Sequence, residues 1–335
     1  MVKFGLLIAK QYPQGESAQA RFQEHVEQVR LARDLGFDTI VFGQHFLSSP
    51  FQELQSVPLL ARLAAESGEM RLGLTVLLAP LLPPVEMAEI GATLDVITGG
   101  RFICGLGLGY RQEEYDAFGV PREERVRRFE ENVEVITRLW TEERVTFQGA
   151  HCRLDDVGLT LRPVQRPRPP IWIAANADAA VRRAARLGDA WIINPHTKLD
   201  SVRQQLHLYG SELGAAGKAF PDDLPMLREL YVAPEGRQAW SEVQPYLDTK
   251  YGAYRQWGQD SVLPAGDRWD YEFRELARDR FVIGDPAEVR EELQRYLEEL
   301  PQVNHFLFRI QYPGMPQELV LRAIRLLGER VRPAF

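Results

Sequence analysis

Short apolar runs rich in β-branched residues, separated by helical patterns, constrain this chain more than any other feature. They are Lys3–Ile8, Thr39–Phe42, Leu72–Leu77, Phe102–Leu106, Ile171–Ala174, Ala190–Ile193, Leu227–Val232 and His305–Ile310. Each is near-continuous rather than alternating, as expected of parallel strands covered on both faces. Between them, apolar residues recur at spacings of three and four. Val126, Phe129, Val133, Ile136 and Trp140 form one such stripe. Similar segments span 22–35, 57–67, 85–97, 179–187, 202–213, 286–300 and 318–331, and Asp285-Pro286 reads as an N-cap followed by a proline at the first helical position. The alternation predicts a (β/α)₈ TIM barrel formed as one domain over residues 1–335, with a doubly wound parallel sheet as the alternative.

Two gaps break the rhythm. The first, 141–170, follows the fourth helix and ends in a proline-rich run that cannot be helix interior; Val145–Phe147 and Leu159–Leu161 are expected to form small extra strands there. The second, 233–284, follows strand seven and carries Tyr246, Tyr251, Tyr254, Trp257, Trp269 and Tyr271. Loops leaving the C-terminal ends of barrel strands form the active-site rim. This insertion is therefore either a lid over the site or a helical excursion packed on the barrel side.

The net charge of −7 is spread along the chain, which argues against a nucleic-acid-binding surface. Cys104 and Cys152 are the only cysteines, too few for a disulfide framework. The N-terminal apolar run is too short for a signal-peptide core, and no run is long enough to span a membrane, so the expected location is cytoplasmic. There is no His-Glu-x-x-His, Cys-x-x-Cys, Gly-x-Ser-x-Gly or P-loop motif. Metal-assisted hydrolysis, serine hydrolysis and nucleoside triphosphate chemistry lose support, and no metal site is expected. A barrel with few obvious catalytic side chains suits chemistry carried by a cofactor.

Polar residues just after a barrel strand face the site, whereas those just before it usually serve stability. Strand two exits through Gly43-Gln44-His45-Phe46, placing an imidazole on the rim as a candidate for proton transfer. Strand four exits through Gly105-Leu106-Gly107-Leu108-Gly109-Tyr110, where alternating glycines permit close backbone approach; Arg101 precedes that strand and reads as structural. Strand five leads through Ala174-Ala175-Asn176-Ala177 into a helix near Asp178. Those amides either bind an anion such as phosphate or belong to an ordinary helix start capped by Asn176 or Asp178. Arg125 either adds a charge to that phosphate or lies on a solvated face.

These stretches together resemble the bacterial-luciferase-like flavin-dependent oxidoreductases. The matching residues are Gly43–Phe46, Ala92-Thr93-Leu94-Asp95-Val96-Ile97-Thr98-Gly99-Gly100-Arg101-Phe102, and Gly105–Tyr110 with Glu114, Tyr115 and Gly119. Arg125 with Glu130 and Leu139-Trp140, Ile171–Ala175, Arg183–Ala185 and Gly188–Trp191 complete the set. The resemblance implies a TIM barrel with a lid after strand seven, commonly a homodimer, holding FMN or the deazaflavin F420 across its C-terminal face. By position, the backbone at Ala175, Asn176 and Ala177 would hold the phosphate, with Arg125 as its charged partner. Gly107, Gly109 and Tyr110 would border the flavin chain. Thr75, Val76 and Leu77 would lie against the ring, with Trp191 and Asn194 nearby and His45 as proton donor or acceptor. Light-emitting members carry Glu-His-His at the second strand exit, and many deazaflavin members carry Asp-His. Gln44 stands at the differing position here, which argues against light emission. The resemblance implies an FMN-dependent monooxygenase, supplied with reduced FMN by a separate reductase and acting on a small organic substrate. F420-dependent hydride transfer and flavin binding without turnover are the alternatives.

Overall fold

The computed structural model describes residues 2–264, 266–267, 269 and 272–335; Tyr271 lies outside them. The apolar runs become β1 (Lys3–Leu7), β2 (Thr39–Phe42), β3 (Arg71–Leu78), β4 (Phe102–Gly107), β5 (Ile171–Ala175), β6 (Ala190–Ile193), β7 (Pro225–Val232) and β8 (His305–Arg309). Neighbours in sequence pair in parallel, and β8 returns to β1 from Lys3↔His305 to Leu7↔Arg309. The thinnest seam is between β6 and β7, where Ile193 meets Met226. This closed ring is a TIM barrel and removes the doubly wound alternative, because no strand of the ring is left as an edge.

Around it run α1 (Ala18–Asp34), α2 (Ser56–Leu63), α3 (Pro84–Ile97), α4 (Arg125–Thr141), α5 (Asp178–Leu187), α6 (Leu199–Ala215), α7 (Pro286–Glu299) and α8 (Gln317–Leu326). Phe129, Val133, Ile136 and Trp140 bury the predicted stripe of α4. The start of α7 is a capping box: Asp285 accepts from the amides of Ala287 and Glu288, and Glu288 accepts from the amide of Asp285. Val41, Ile103, Trp172, Ile192 and Leu307 fill the barrel interior, while the alternate strand residues pack outward on the helices. At the N-terminal face, Arg101 donates to the Met70 carbonyl and to Ser67, a structural role as its position implied.

The glycines of β4 answer to a register shift in β3 between Leu74 and Leu77. A Cβ on Gly105 would stand 2.0 Å from the Leu74 carbonyl oxygen, and one on Gly107 would stand 2.5 Å from the Val76 side chain. The bulged strand can pass only because both positions lack side chains.

The gap after α4 contains a hairpin of Val145–Gln148 and Arg153–Val157. Its second strand is not Leu159–Leu161 as expected. The turn closes early, with the Gly149 amide donating to the Cys152 carbonyl, and Leu159 is buried in the outer core instead. The solvent-facing Arg153–Val157 run lacks the apolar pattern that marks a strand in sequence. The insertion after β7 forms a long helix, Gly236–Gln256, a short helix Phe273–Ala277, and a strand Phe281–Gly284 that pairs with the outer half of β7. A small ribbon, Gln11–Pro13 with Phe51–Glu53, rises from the exits of β1 and β2.

Two imidazoles are held neutral inside this scaffold. Burial pushes His25 down to about 4, and its ring nitrogen meets Tyr12 and the Ala9 carbonyl. Burial pushes His305, packed on Trp172 inside the barrel, down to about 3. The unfolded chain takes up these protons near pH 6.5 whereas the folded chain refuses them, so stability falls as pH drops from about 6.5 toward 4. Each unit of pH across that window is worth about 1.4 kcal/mol per imidazole. In urea unfolding measured from pH 7 to 4.5, His25→Gln should flatten this acid-side slope; an unchanged slope would show that His25 is protonated in the folded state.

Candidate active site

The strand exits converge on a cleft of about 450 Å³ at the C-terminal end of the barrel. Gly43, Gln44 and His45 come from the exit of β2; Thr75, Val76 and Leu78 come from β3; Gly107, Gly109 and Tyr110 come from β4. Ala175, Asn176 and Ala177 follow β5, Asn194 follows β6, and Arg122 and Arg125 arrive from the start of α4. Among the residues singled out from sequence, Leu77 and Trp191 lie elsewhere. Strand alternation turns both outward into the core beneath the helices, so they cannot border a ring in the cleft. Trp191 packs on Tyr209 and donates its indole N–H to the Ala175 carbonyl at 3.0 Å, bracing the turn from behind.

One end of the cleft gathers hydrogen-bond donors. The N-cap of α5 is Ala177, and no side chain caps the helix among the described residues, so neither Asn176 nor Asp178 fills the role considered for them. Its first amides lack the partner that a cap would supply. Asn176 is fixed instead by Asn194, whose side-chain amide donates to it at 2.7 Å, and by Gln205, which donates to its carbonyl. Facing this turn, Arg125 donates to the Arg122 carbonyl at 2.8 Å, and the buried Nε of Arg122 has no hydrogen-bond partner among the described residues. Sequence reading chose Arg125 and passed over Arg122, since both sit in a run of charges that resembles a solvated helix start.

The other end holds His45. A short helix, Gln112–Ala117, carries the fully buried Glu114 beneath it, and the ring Nδ1 lies 3.3 Å from that carboxylate. Glu114 also accepts from the Phe46 amide at 2.9 Å and sits 3.5 Å from Arg111. A carboxylate can only accept, so it selects the tautomer with a proton on Nδ1 and leaves Nε2 as the free nitrogen. Tyr110, Tyr254 and Trp257 surround the imidazole at ring-centre distances of 5.9, 6.2 and 5.4 Å. Arg111 lies 4.4 Å over the Trp257 ring, tying the long insertion helix to this rim. Gln44, the residue that departs from the family pattern, accepts from the Leu78 amide at 3.2 Å and thereby holds the bulged end of β3.

The insertion supplies more of the site than its aromatic content indicated. Gln259, Ser261, Val262 and Leu263 line the cleft, and Lys250 and Tyr254 line a smaller chamber beyond His45. In that chamber Lys10 pairs with Glu53 and Lys250 with Glu229. Burial pushes the Lys250 ammonium down to about 7 and holds His196, 3.0 Å from the Tyr251 hydroxyl, well below the ordinary histidine value. None of these charged residues stood out in sequence, because each lies alone in an otherwise ordinary strand or helix.

The cleft suits a polar ligand. The buried Thr75 Oγ1, Tyr110 hydroxyl and Arg122 Nε all line it without a hydrogen-bond partner among the described residues, a pattern that a polar ligand would complete. Among the described residues no helix is long and apolar enough to cross a membrane, and no cluster of side chains could hold a metal ion.

Several known proteins are similar to this chain over much of its length. Monooxygenase RslO1 from Streptomyces bottropensis superposes with a TM-score of 0.89 at 27% identity over 99% of both chains. An F420-dependent glucose-6-phosphate dehydrogenase of Kineococcus radiotolerans is 28% identical over 87% of each chain. An FMNH₂-dependent dimethylsulfone monooxygenase of Pseudomonas putida is 27% identical over 59% of this chain and 51% of its own. A family model described as luciferase-like monooxygenase matches residues 2–301, and the chain belongs to that family.

Proposed function

We propose that this protein is an FMN-dependent monooxygenase that receives reduced FMN from a separate reductase and acts on a small organic substrate. The observation that carries this reading is the pairing of Arg122 and Arg125 with the uncapped start of α5, at the far end of a cleft that terminates on His45. A terminal phosphate at the first site would be held by two guanidinium groups and helix amides. Thr75 and Tyr110 would meet the polar edges of the cofactor between the two ends. Reduced flavin, when bound, would supply the electrons for activating O₂. His45 would move a proton at Nε2, with Glu114 fixing its tautomer. The aromatic wall of Tyr254 and Trp257 would keep water from the reacting centre. The 27% identity to monooxygenase RslO1 along the full chain supports the same reaction class.

Hydride transfer with F420 is the second reading, favoured by the 28% identity to glucose-6-phosphate dehydrogenases named for that cofactor. Anaerobic fluorescence titration with reduced FMN and reduced F420 separates the two. FMN should bind more tightly, and a preference for F420 would replace the monooxygenase reading.

Arg122→Ala and Arg125→Ala should each weaken reduced FMN by about 10- to 100-fold, the cost of one charge-assisted hydrogen bond, while riboflavin, which lacks the phosphate, binds as before. Equal losses for both ligands would place the arginines elsewhere in the mechanism.

With a substrate found by oxygen-uptake screening, His45→Asn should lower kcat by about 100-fold or more and leave reduced-FMN affinity within a few-fold. Glu114→Gln should produce a smaller loss of the same kind, because Nδ1 then loses its charged acceptor. Turnover unaffected by His45→Asn would remove the imidazole from the chemistry.

A further inference from the structure

Beyond His45 the cleft continues into the smaller chamber, about 160 Å³ in volume, and the two share Gly43, His45, Thr75 and His196 in their walls. His196 stands at this junction and has no part in the chemistry described above. Its place is fixed from several sides. The His196 amide donates to Asn194 Oδ1 at 2.7 Å, and its carbonyl accepts from Arg280 Nε at 2.7 Å. Its ring packs edge-on against Tyr251 and Trp269, with ring centres 5.5 and 5.0 Å away.

The hydrogen bonds behind the ring select its tautomer. Nδ1 lies 3.0 Å from the Tyr251 hydroxyl, which in turn lies 3.5 Å from Glu229 Oε1. A hydroxyl has one proton to give, and a carboxylate can only accept. Were Tyr251 to donate to His196, it would face Glu229 oxygen to oxygen and that contact would be lost. Only Nδ1–H donating to Tyr251, with the Tyr251 O–H donating to Glu229, satisfies both. Burial, reinforced by Lys250 and Arg280, holds His196 well below the ordinary histidine value, so the ring carries a single proton. Nε2 is then a bare acceptor. It has no hydrogen-bond partner among the described residues, yet it is not one of their buried unpartnered atoms, so it meets the open space that the ring lines. A group that donates a hydrogen bond satisfies it, whereas the oxygen of a carbonyl or carboxylate turned toward it is repelled. Lys10, Lys250, Arg228 and Arg309 line the chamber against Glu53 and Glu229, an excess of cations that disfavours an ammonium as the donor. A neutral donor remains, of which a hydroxyl is the simplest.

We propose that His196 is a specificity-determining residue, its Nε2 accepting a hydrogen bond from a hydroxyl group of the substrate where the chamber meets the cleft. The proposal rests on the reading of the outer cleft as the cofactor site, but its test does not require bound cofactor.

The full-length protein would be titrated by NMR with cyclohexanol and cyclohexanone, which differ in whether the oxygen carries a proton, and separately with reduced FMN. Long-range nitrogen–proton correlation spectra of the histidine rings, with His196 assigned by its loss in His196→Phe, should place its proton on Nδ1. Cyclohexanol should shift the Nε2 resonance and bind about fivefold or more tighter than cyclohexanone. His196→Phe should bring the two ligands to within about twofold of each other. A proton on Nε2 would overturn the proposal without reliance on any variant's binding. So would failure of both ligands to bind the unmodified protein, equal binding of the two, or a cyclohexanol preference that survives in His196→Phe. Absence of reduced-FMN binding alongside a cyclohexanol preference lost in His196→Phe would overturn the cofactor reading while upholding the hydroxyl subsite.

Discussion

Closure of the strand ring is the constraint on which everything else in this molecule depends. Once β8 pairs with β1, each strand must send alternate side chains inward and outward, and every strand must deliver its C-terminal end to the same face. The interior fills with Val41, Ile103, Trp172, Ile192 and Leu307, so the barrel is a packed core rather than a pore. A ligand is thereby confined to the rim. Closure also sets which strand residues reach that rim, and it sends Trp191 and Leu77 away from it.

The rim is an electrostatic gradient as well as a shape. At one end, two arginines and the start of α5 concentrate positive charge around Asn176 and Ala177. At the other, most charges are cancelled in place, Lys10 by Glu53 and Lys250 by Glu229. His45 lies between, its tautomer selected by a buried carboxylate delivered from a helix of only six residues. On the proposed cofactor reading, this separation would let a phosphate be held strongly away from the reacting centre.

The insertion after β7 shows how one segment can answer both readings that its sequence allowed. Its long helix packs on the barrel through Ala239, Val243 and Leu247, as a structural excursion would. Its C-terminal end and the turn that follows reach over the cleft with Lys250, Tyr254, Gln259 and Leu263. Both roles follow from geometry: the outer half of β7, paired with Phe281–Gly284, carries the insertion beyond the rim before it folds back.

Much of this was legible in order and period. Strand and helix positions follow from apolar spacing, and the rim positions of His45, Asn176 and Asn194 follow from standing just after a strand. The Arg153–Val157 strand was not legible, because a solvent-facing hairpin leaves no apolar signature. Arg122 was hidden in a charge run, and Arg309, Glu229 and Glu114 were hidden because a lone charged residue in a sequence carries no mark of burial. The sequence by itself determined the alternation of elements, and so the barrel, because burial on both faces demands a readable periodicity. Only the tertiary structure decided which charges meet, since pairing Lys250 with Glu229, or Lys10 with Glu53, depends on distances between segments that local pattern does not encode.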